Sequence, residues 1–294
     1  MVTFNGIVPP SPLEVAPCGL FSVARVVKHR EDEEHWIGGF HVESDAFPTV
    51  TLRTNTDAEI TAGQGVIYDG SDDSDTYQAT PFFVELSAKA TSVDFLRDGE
   101  DLSPTMEKQV KAVTQKAVER ELWEGIATQN ALPASKASFL RRASADGGAE
   151  VVTSGGVSPE KALALIEQSI SNSPTGGRGV IHMTRDVASS LGSRLRYFEK
   201  NEIDENTYAV TRLGTLVVVG SGYTGAGPLG AAGTEASATN KWMYVTGGVQ
   251  VDLGKPMVTA ASEVSTNDHI ARISFPVAVH FDPSIFYAAQ VTLP

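Results

Sequence analysis

The chain has 294 residues, 41% of them hydrophobic and 20% charged, with a formal net charge of −13 at pH 7 and one cysteine, Cys18. This is ordinary globular composition, enough for one large or two intertwined domains with a real core. It excludes an internal disulfide and a cysteine-based metal cage, and no apolar run approaches the length a membrane span needs, so no membrane partner is expected.

The charge is unevenly placed. Residues 1–100 hold six Lys/Arg and seventeen Asp/Glu, so −11 of the net charge lies there. No basic stripe of the kind that displaces counterions from phosphates is present. A solvated acidic surface is the expected reading. The start, Met1 to Gly6, lacks a basic region followed by an apolar core, so no secretory signal is read and the cytoplasm is the expected place of assembly.

Residues 1–19 read as an extended arm. Pro9, Pro10, Pro12 and Pro17 forbid helix, and Val2, Phe4, Ile7, Val8 and Leu13 are too scattered to bury themselves. Residues 20–87 read as β structure with long connections. Leu20 to Val27 is strand-like, Lys28 to His35 is a charged tip, and Trp36 to Val42 resumes the strand. Val50 and Leu52 alternate with Thr49, Thr51 and Arg53. Asp69 to Asp75 is an acidic turn, after which Phe82, Val84 and Leu86 alternate with Phe83, Glu85 and Ser87. So much hairpin-like chain suggests protruding loops stabilised by a partner subunit.

The clearest helix is predicted over 104–129. Ser103 is a good N-cap and Pro104 suits the first helical position. Met106, Val110, Val113, Ala117, Leu122 and Ile126 fall at helical spacing, and Glu107–Lys111 and Arg120–Glu124 are favourable i,i+4 pairs. The helix would run roughly 39 Å. Gly125 lies near its end and Pro133 stops it. Loop follows over 130–157, with Lys136, Arg141 and Arg142 as a small basic cluster.

An α/β unit comes next. Ser158-Pro159-Glu160 opens a helix to about Asn172, Gly179 to His182 is a short strand, and Thr184 caps a helix over about 185–194. Thr215 to Val219 is a buried strand, 220–238 is glycine-rich loop, and Trp242 to Val251 is one strand. At the end, Ile273, Phe275, Val277, Val279 and Phe281 alternate with Arg272, Ser274, Ala278, His280 and Asp282. Pro276 there argues for an edge or a bulge. Ile285, Tyr287, Ala289, Val291 and Leu293 continue the pattern.

Chemistry-bearing motifs are few. Gly220-Ser221-Gly222-Tyr223-Thr224-Gly225 matches G-x-G-x-x-G after a hydrophobic strand. A dinucleotide site needs that turn to open a helix, and the Gly/Ala-rich residues 226–233 cannot make one, so no cofactor is expected. The six histidines, His29, His35, His41, His182, His269 and His280, show no two-ligand helical spacing, and the first three, in an acidic stretch, read as solvated loop residues. The Asp69–Asp75 turn lacks the order of a calcium loop. No nucleophile elbow or phosphate loop occurs, and Cys18 reads as an inert thiol. No catalytic, cofactor-binding or metal residues are assigned, and no enzyme is expected.

The order of elements carries a resemblance. An arm, a long β loop, one long helix, a separate α/β unit and a return to β strands resembles the α+β layout of tailed-phage major capsid proteins of the Hong Kong ninety-seven type, and covers nearly the whole chain. His35-Trp36-Ile37-Gly38-Gly39-Phe40, Thr80-Pro81-Phe82-Phe83-Val84 and Thr215 to Tyr223 with its Gly-Pro tail are similar to stretches in capsid proteins of phages of actinobacteria. The resemblance implies an N-arm at 1–19 and an extended loop within 20–80. It implies a peripheral domain at 81–154 whose spine helix is 104–129, an axial domain at 155–255, and peripheral return strands at 256–294.

The function so implied is assembly. Copies form hexamers and pentamers that close into an icosahedral shell in the virion, around double-stranded DNA held without specific binding. The implied partners are other copies, a separate scaffolding protein and a portal protein at one vertex, with a decoration protein left open. The 220–238 loop is expected to adapt to six-fold and five-fold surroundings. Lysine cross-linking from the extended loop is not expected, since Lys28 is the sole lysine before Lys89. No N-terminal scaffolding extension is read. The alternatives are an encapsulin-type compartment shell, which shares the fold, and a tail or fibre protein, which would need repeats that are not found.

Overall fold

The computed structural model describes residues 16–29, 40–42, 52–53, 59–60, 77–91, 102–132, 137–173, 178–198, 207–231, 233–263 and 268–294. In chain order the strands are β1 (Arg25–Lys28), β2 (Phe40–Val42), β3 (Leu52–Arg53), β4 (Glu59–Ile60), β5 (Tyr77–Ala79) and β6 (Phe82–Thr91). Helices α1 (Leu102–Glu124) and α2 (Ile126–Ala131) follow, then β7 (Glu150–Val157), α3 (Pro159–Asn172), β8 (Val180–Thr184), α4 (Arg185–Leu191), β9 (Leu195–Phe198), β10 (Tyr208–Thr211) and β11 (Leu216–Gly220). The chain ends on β12 (Asn240–Thr246), β13 (Val249–Leu253), β14 (Met257–Glu263), β15 (Asp268–Phe281) and β16 (Phe286–Thr292).

Two sheets organise these elements. In the first, β15 is central. Its one side pairs with β6 along ten residues, and its other side pairs first with β14 and then with β13, which carries the parallel β1. The second has the order β7-β16-β12-β8-β11-β10-β9. Two short antiparallel pairs, β2 with β5 and β3 with β4, lie in the region expected to form the extended loop. The acidic turn at 69–75, the charged tip beyond His29 and most of the arm lie outside the described residues.

The second sheet is buried on both faces, so its central strands alternate between two cores instead of between core and water. Ile181, Met183, Val217, Val219, Met243, Val245, Ala289 and Val291 face a core roofed by α3 and α4. Val180, Val218, Trp242, Tyr244 and Ala288 face a second core, which they share with Val118, Leu122 and Trp123 of α1 and with Val277, Val279 and Phe281 of β15. Helix α1 lies across β15 and β6. It is therefore the layer that ties the two sheets together. Helix α3 forms as expected from its start: the Ser158 side chain caps Lys161 N at 3.4 Å, Pro159 follows, and Ala162, Leu163, Ile166 and Ile170 are buried.

Several expectations are corrected. The long helix breaks at Gly125, which takes the left-handed conformation (φ 62°), and restarts as α2. A side chain there is doubly opposed, because a Cβ would meet the Phe139 ring at 2.4 Å. Leu20 to Val27 is a 3-10 turn at Leu20–Ser22 followed by the short β1. Trp242 to Val251 is two strands in different sheets, divided at Gly247-Gly248. Pro276 lies in the central strand, at the point where β15 exchanges β14 for β13, and its carbonyl accepts from Gly254 N at 2.8 Å. A change of partner leaves a gap in the ladder, and a gap tolerates a residue without an N–H. Within residues 256–294, β14 and β15 belong to the first sheet and β16 to the second, where it pairs with β12 and β7. Thr184 is the N-cap residue of α4 as expected, but its side chain makes no cap hydrogen bond: its hydroxyl donates to Asp186, whose Oδ1 accepts Val187 N at 2.9 Å.

Candidate functional site

The most structured polar region is the seam where α1 meets the loop after β11. The helix face that enters it is Gln115, Val118, Glu119, Leu122 and Trp123, all buried. These positions recur at three and four residues, so they form one stripe. It is not the stripe expected from hydrophobicity: Val113 is 37% exposed and Ile126 is 48% exposed. The acids and amides on the true inner face hide it from a hydropathy count.

Glu119 is the hub of this seam. Its Oε1 accepts Leu20 N at 3.0 Å, and its Oε2 accepts Gly222 N at 2.8 Å and Ser221 Oγ at 3.2 Å. One carboxylate thus holds the root of the arm and the β11 loop onto α1. Burial pushes its carboxyl above the ordinary value, against the opposing pull of these hydrogen bonds. Next to it, Gln115 Nε2 donates to Ala16 O at 3.1 Å. Cys18 donates its N–H to Thr207 O and accepts Val219 N, both at 2.8 Å, so the arm's last residues bridge from β11 to the start of β10. Its thiol is buried and pushed up by desolvation, in line with an inert group.

The G-x-G-x-x-G stretch is the loop half of the seam. A Cβ on Gly222 would lie 2.2 Å from the Lys116 carbonyl oxygen and 3.0 Å from Arg120 N, both helix backbone. Gly220 sits under the Tyr223 ring, and Gly225 has φ 79°. Gly222 serves close approach to the α1 backbone, while Gly220 makes room for the Tyr223 ring and Gly225 for the Lys241 side chain. Residues Gly222, Tyr223 and Gly225 to Pro228 are buried, so the first half of 220–238 is packed within the subunit. Gly222→Ala is expected to destabilise the protein by about 2–3 kcal/mol, because backbone cannot yield as a side chain would. Gly155→Ala, where nothing lies within 4 Å, is the control and should stay within roughly 0.5 kcal/mol in the same urea titration.

Around the loop lies an aromatic and histidine group. Trp123 packs on Tyr223 at 4.7 Å and edge-on to Tyr244 at 4.9 Å, and its indole N–H donates to Ala226 O at 3.0 Å. His182, fully buried, lies 2.8 Å by Nδ1 from the Tyr223 hydroxyl and 2.9 Å by Nε2 from Thr246 Oγ1. Desolvation lowers its pKa to about 3, so the ring is neutral. Burial likewise pushes the Tyr223 hydroxyl upward, helped by the nearby Glu119 charge.

Two more α1 carboxylates close the seam. Glu124 is engaged by Arg141 and by the Thr224 hydroxyl, and Arg141 Nε also donates to Gly227 O at 3.0 Å. The expected basic cluster is therefore partly an internal clamp: Arg142 is buried too, and Lys136 lies outside the described residues. Glu121 serves the helix break. Its carboxylate accepts Ala127 N, Thr128 N and Thr128 Oγ1, each at 2.9 Å, at the start of α2. Glu121→Ala would leave these donors buried and unpaired. A loss of about 1–2 kcal/mol is expected, and an unchanged denaturation midpoint would refute this role.

The remaining histidines also depart from expectation. His29 Nε2 lies 2.8 Å from Asp252 Oδ1, and His280 Nδ1 lies 3.7 Å from Oδ2 of the same fully buried carboxylate. His29 thus holds the end of β1 to β13, and His280 lies on β15 beside the same carboxylate, so neither sits in a solvated loop. Nothing is described of His35, and His41 and His269 are placed on β2 and β15 by backbone alone. Among the described residues, no group of three or more His, Cys, Asp or Glu is arranged to hold a metal, and no helix is long and apolar enough to cross a membrane.

Two sheets joined by a helix through buried carboxylates make a mechanical α+β framework. No family model matches the sequence, and no curated protein matches it. Solved structures do match. A chain from the capsid of an empty GTA particle aligns with 97% of this chain and 96% of its own length, at a TM-score of 0.56 and 13% identity. The SrpI encapsulin of Synechococcus elongatus PCC 7942 aligns over 96% and 90%, with a TM-score of 0.56 and 9% identity. A chain of Microbacterium phage Oxtober96 aligns over 99% and 95%, at 0.51 and 12%. The chain therefore has the Hong Kong ninety-seven-type capsid fold.

Proposed function

We propose that this chain is a major capsid protein whose copies assemble as hexamers and pentamers into the icosahedral head of a phage, around double-stranded DNA. One observation carries the reading: the end-to-end alignment with capsid chains, which leaves almost none of this chain over for another activity. On this reading the first sheet with α1 is the peripheral domain. The second sheet with α3 and α4 is the axial domain, and it includes β16. The arm and the extended loop at 20–80 reach to neighbours. The protein is structural and not an enzyme. Its further partners on this reading are a separate scaffolding protein and a portal. Its place is the virion, after assembly in the host cytoplasm.

A second reading, an encapsulin-type shell, is favoured by the equal TM-score of the Synechococcus chain. Negative-stain electron microscopy of the protein, alone and co-expressed with its neighbouring genes, tests both. Icosahedral particles or rings are expected. A monomer or dimer under every assembly condition would overturn the shell reading. Extracted nucleic acid from native particles supports the phage head, and a protein cargo in its place supports the encapsulin.

A further inference from the structure

The second sheet ends at β9, and among the described residues no strand pairs with its outer edge. Leu195 belongs to the core under α3 and α4, so by alternation Arg196 and Phe198 take the opposite face. The register sets them beside Val210 and Tyr208 of β10. Phe198 stacks on the Tyr208 ring, with centroids 5.4 Å apart and planes 18° apart, yet it stays 42% exposed. Arg196 is exposed next to it, and Val210 is half-buried. The sheet edge thus carries an aromatic shelf with one cation on it.

The root of the arm arrives at this shelf. Cys18 donates its N–H to the carbonyl of Thr207, the residue before Tyr208, and the preceding Ala16 and Pro17 carbonyls are held by Gln115 and Arg185. Residues 1–15 lie outside the described residues, but their sequence says what they would fit. They include Pro9, Pro10 and Pro12, and Glu14 is the one charged side chain before Arg25. Proline-rich chain favours polyproline II, with three residues per turn and a rise of about 3.1 Å. In that form Pro9 and Pro12 would share a side, and Pro12 would reach about 12 Å from Ala16. The shelf is within that reach, because β9 lies one strand beyond β10, about 5 Å. Proline pairs of this spacing dock on aromatic-lined surfaces, and Glu14 supplies the counter-charge to Arg196.

We propose that the proline-rich stretch 9–14 of the arm docks on the Phe198–Tyr208 shelf of its own copy, with Glu14 toward Arg196. The tether selects the same copy. A short linker gives an effective concentration of about 1 mM, so a contact with a Kd of about 0.1 mM is docked about ten to one, while between separate copies at micromolar concentration it stays empty. The inference goes beyond the shell reading and does not need it. On that reading the shelf is the resting place that the arm leaves when it reaches a neighbour.

Glu14 also provides the test, since it is the only site for a glutamate-specific protease before Glu31. The cut requires an undocked arm, so its rate follows the undocked fraction. In the unassembled full-length subunit, Phe198→Ser is expected to speed the cut after Glu14 about tenfold. Pro9→Ser combined with Pro10→Ser, which changes neither the shelf nor the residues next to the cut, should speed it as much. Arg196→Glu should act in the same direction, and Phe198→Tyr, which keeps the ring, should be cut as slowly as the wild type. The wild-type rate should be unchanged by dilution. Equal rates in the wild type, Phe198→Ser and the double proline variant would overturn the inference. So would a slow cut that turns fast on dilution, because the arm would then be held by another copy. Both outcomes leave the shell reading standing, which the particles test separately.

Discussion

Trp123→Ala is expected to destabilise the subunit by about 3–5 kcal/mol, the range for emptying a large aromatic site. The indole is fully buried in the core shared by both sheets. Its neighbours come from different elements: Tyr223 from the β11 loop and Tyr244 from β12. Both sit on rigid backbone, so the cavity cannot collapse. The Ala226 carbonyl keeps one donor, the Tyr244 hydroxyl at 3.2 Å, so loss of the indole hydrogen bond adds little. The main contribution is packing. Since whole domains are stable by only about 5–15 kcal/mol, the variant is expected to aggregate or to fail to assemble at physiological temperature. Trp123→Phe keeps a ring against both tyrosines and should lose roughly half as much or less. Urea titration of the subunit below its assembly concentration measures both. A loss under about 1 kcal/mol for Trp123→Ala would mean that the two sheets are not joined through this residue.

What the sequence revealed and what it hid follow from one physical difference. Elements whose partners are local were legible. Ser158-Pro159 marks the start of α3 because a cap and a fixed φ act within one turn. The alternation of Phe82, Val84 and Leu86 marks β6 because a strand has period two. The seam was not legible, because its logic is long-range. Glu119 is separated by 99 residues from Leu20 and by 103 from Gly222, and in the sequence it looks like one more surface acid of a helix. The same holds for His182, whose partners lie 41 and 64 residues away. The glycines of 220–225 did carry a signal, close backbone approach, but the signal does not say what approaches. A helix backbone and a pyrophosphate make the same demand. The division of 256–294 was hidden for a related reason. The alternation continues through Pro283, and only pairing tells that β15 belongs to one sheet and β16 to the other.

The seam also fixes how the protein answers to acid. His182 titrates at about 3 in the folded chain, against 6.5 for a histidine in water, because burial strips water from the cation. Below pH 6.5 the unfolded chain therefore binds a proton that the folded chain refuses. Stability from this group is complete above 6.5 and falls as pH drops toward 3, by about 1.4 kcal/mol per unit. Over the two units below 6.5 the loss is about 2.7 kcal/mol. Glu119 works in the opposite sense. Its folded pKa is raised by burial, so the folded chain takes up a proton first, and acidification through that folded value relieves an unfavourable buried charge. A wild-type stability curve mixes the two. His182→Gln separates them, since it keeps a polar group for Thr246 and removes the titration. Subtracting its urea-derived stability from that of the wild type, pH by pH, should give a line that is flat above 6.5 and falls below it at about 1.4 kcal/mol per unit. Parallel curves over those two units would show that the ring takes its proton inside the fold. The Tyr223–His182–Thr246 chain would then not be the neutral strut that holds the second sheet to α1.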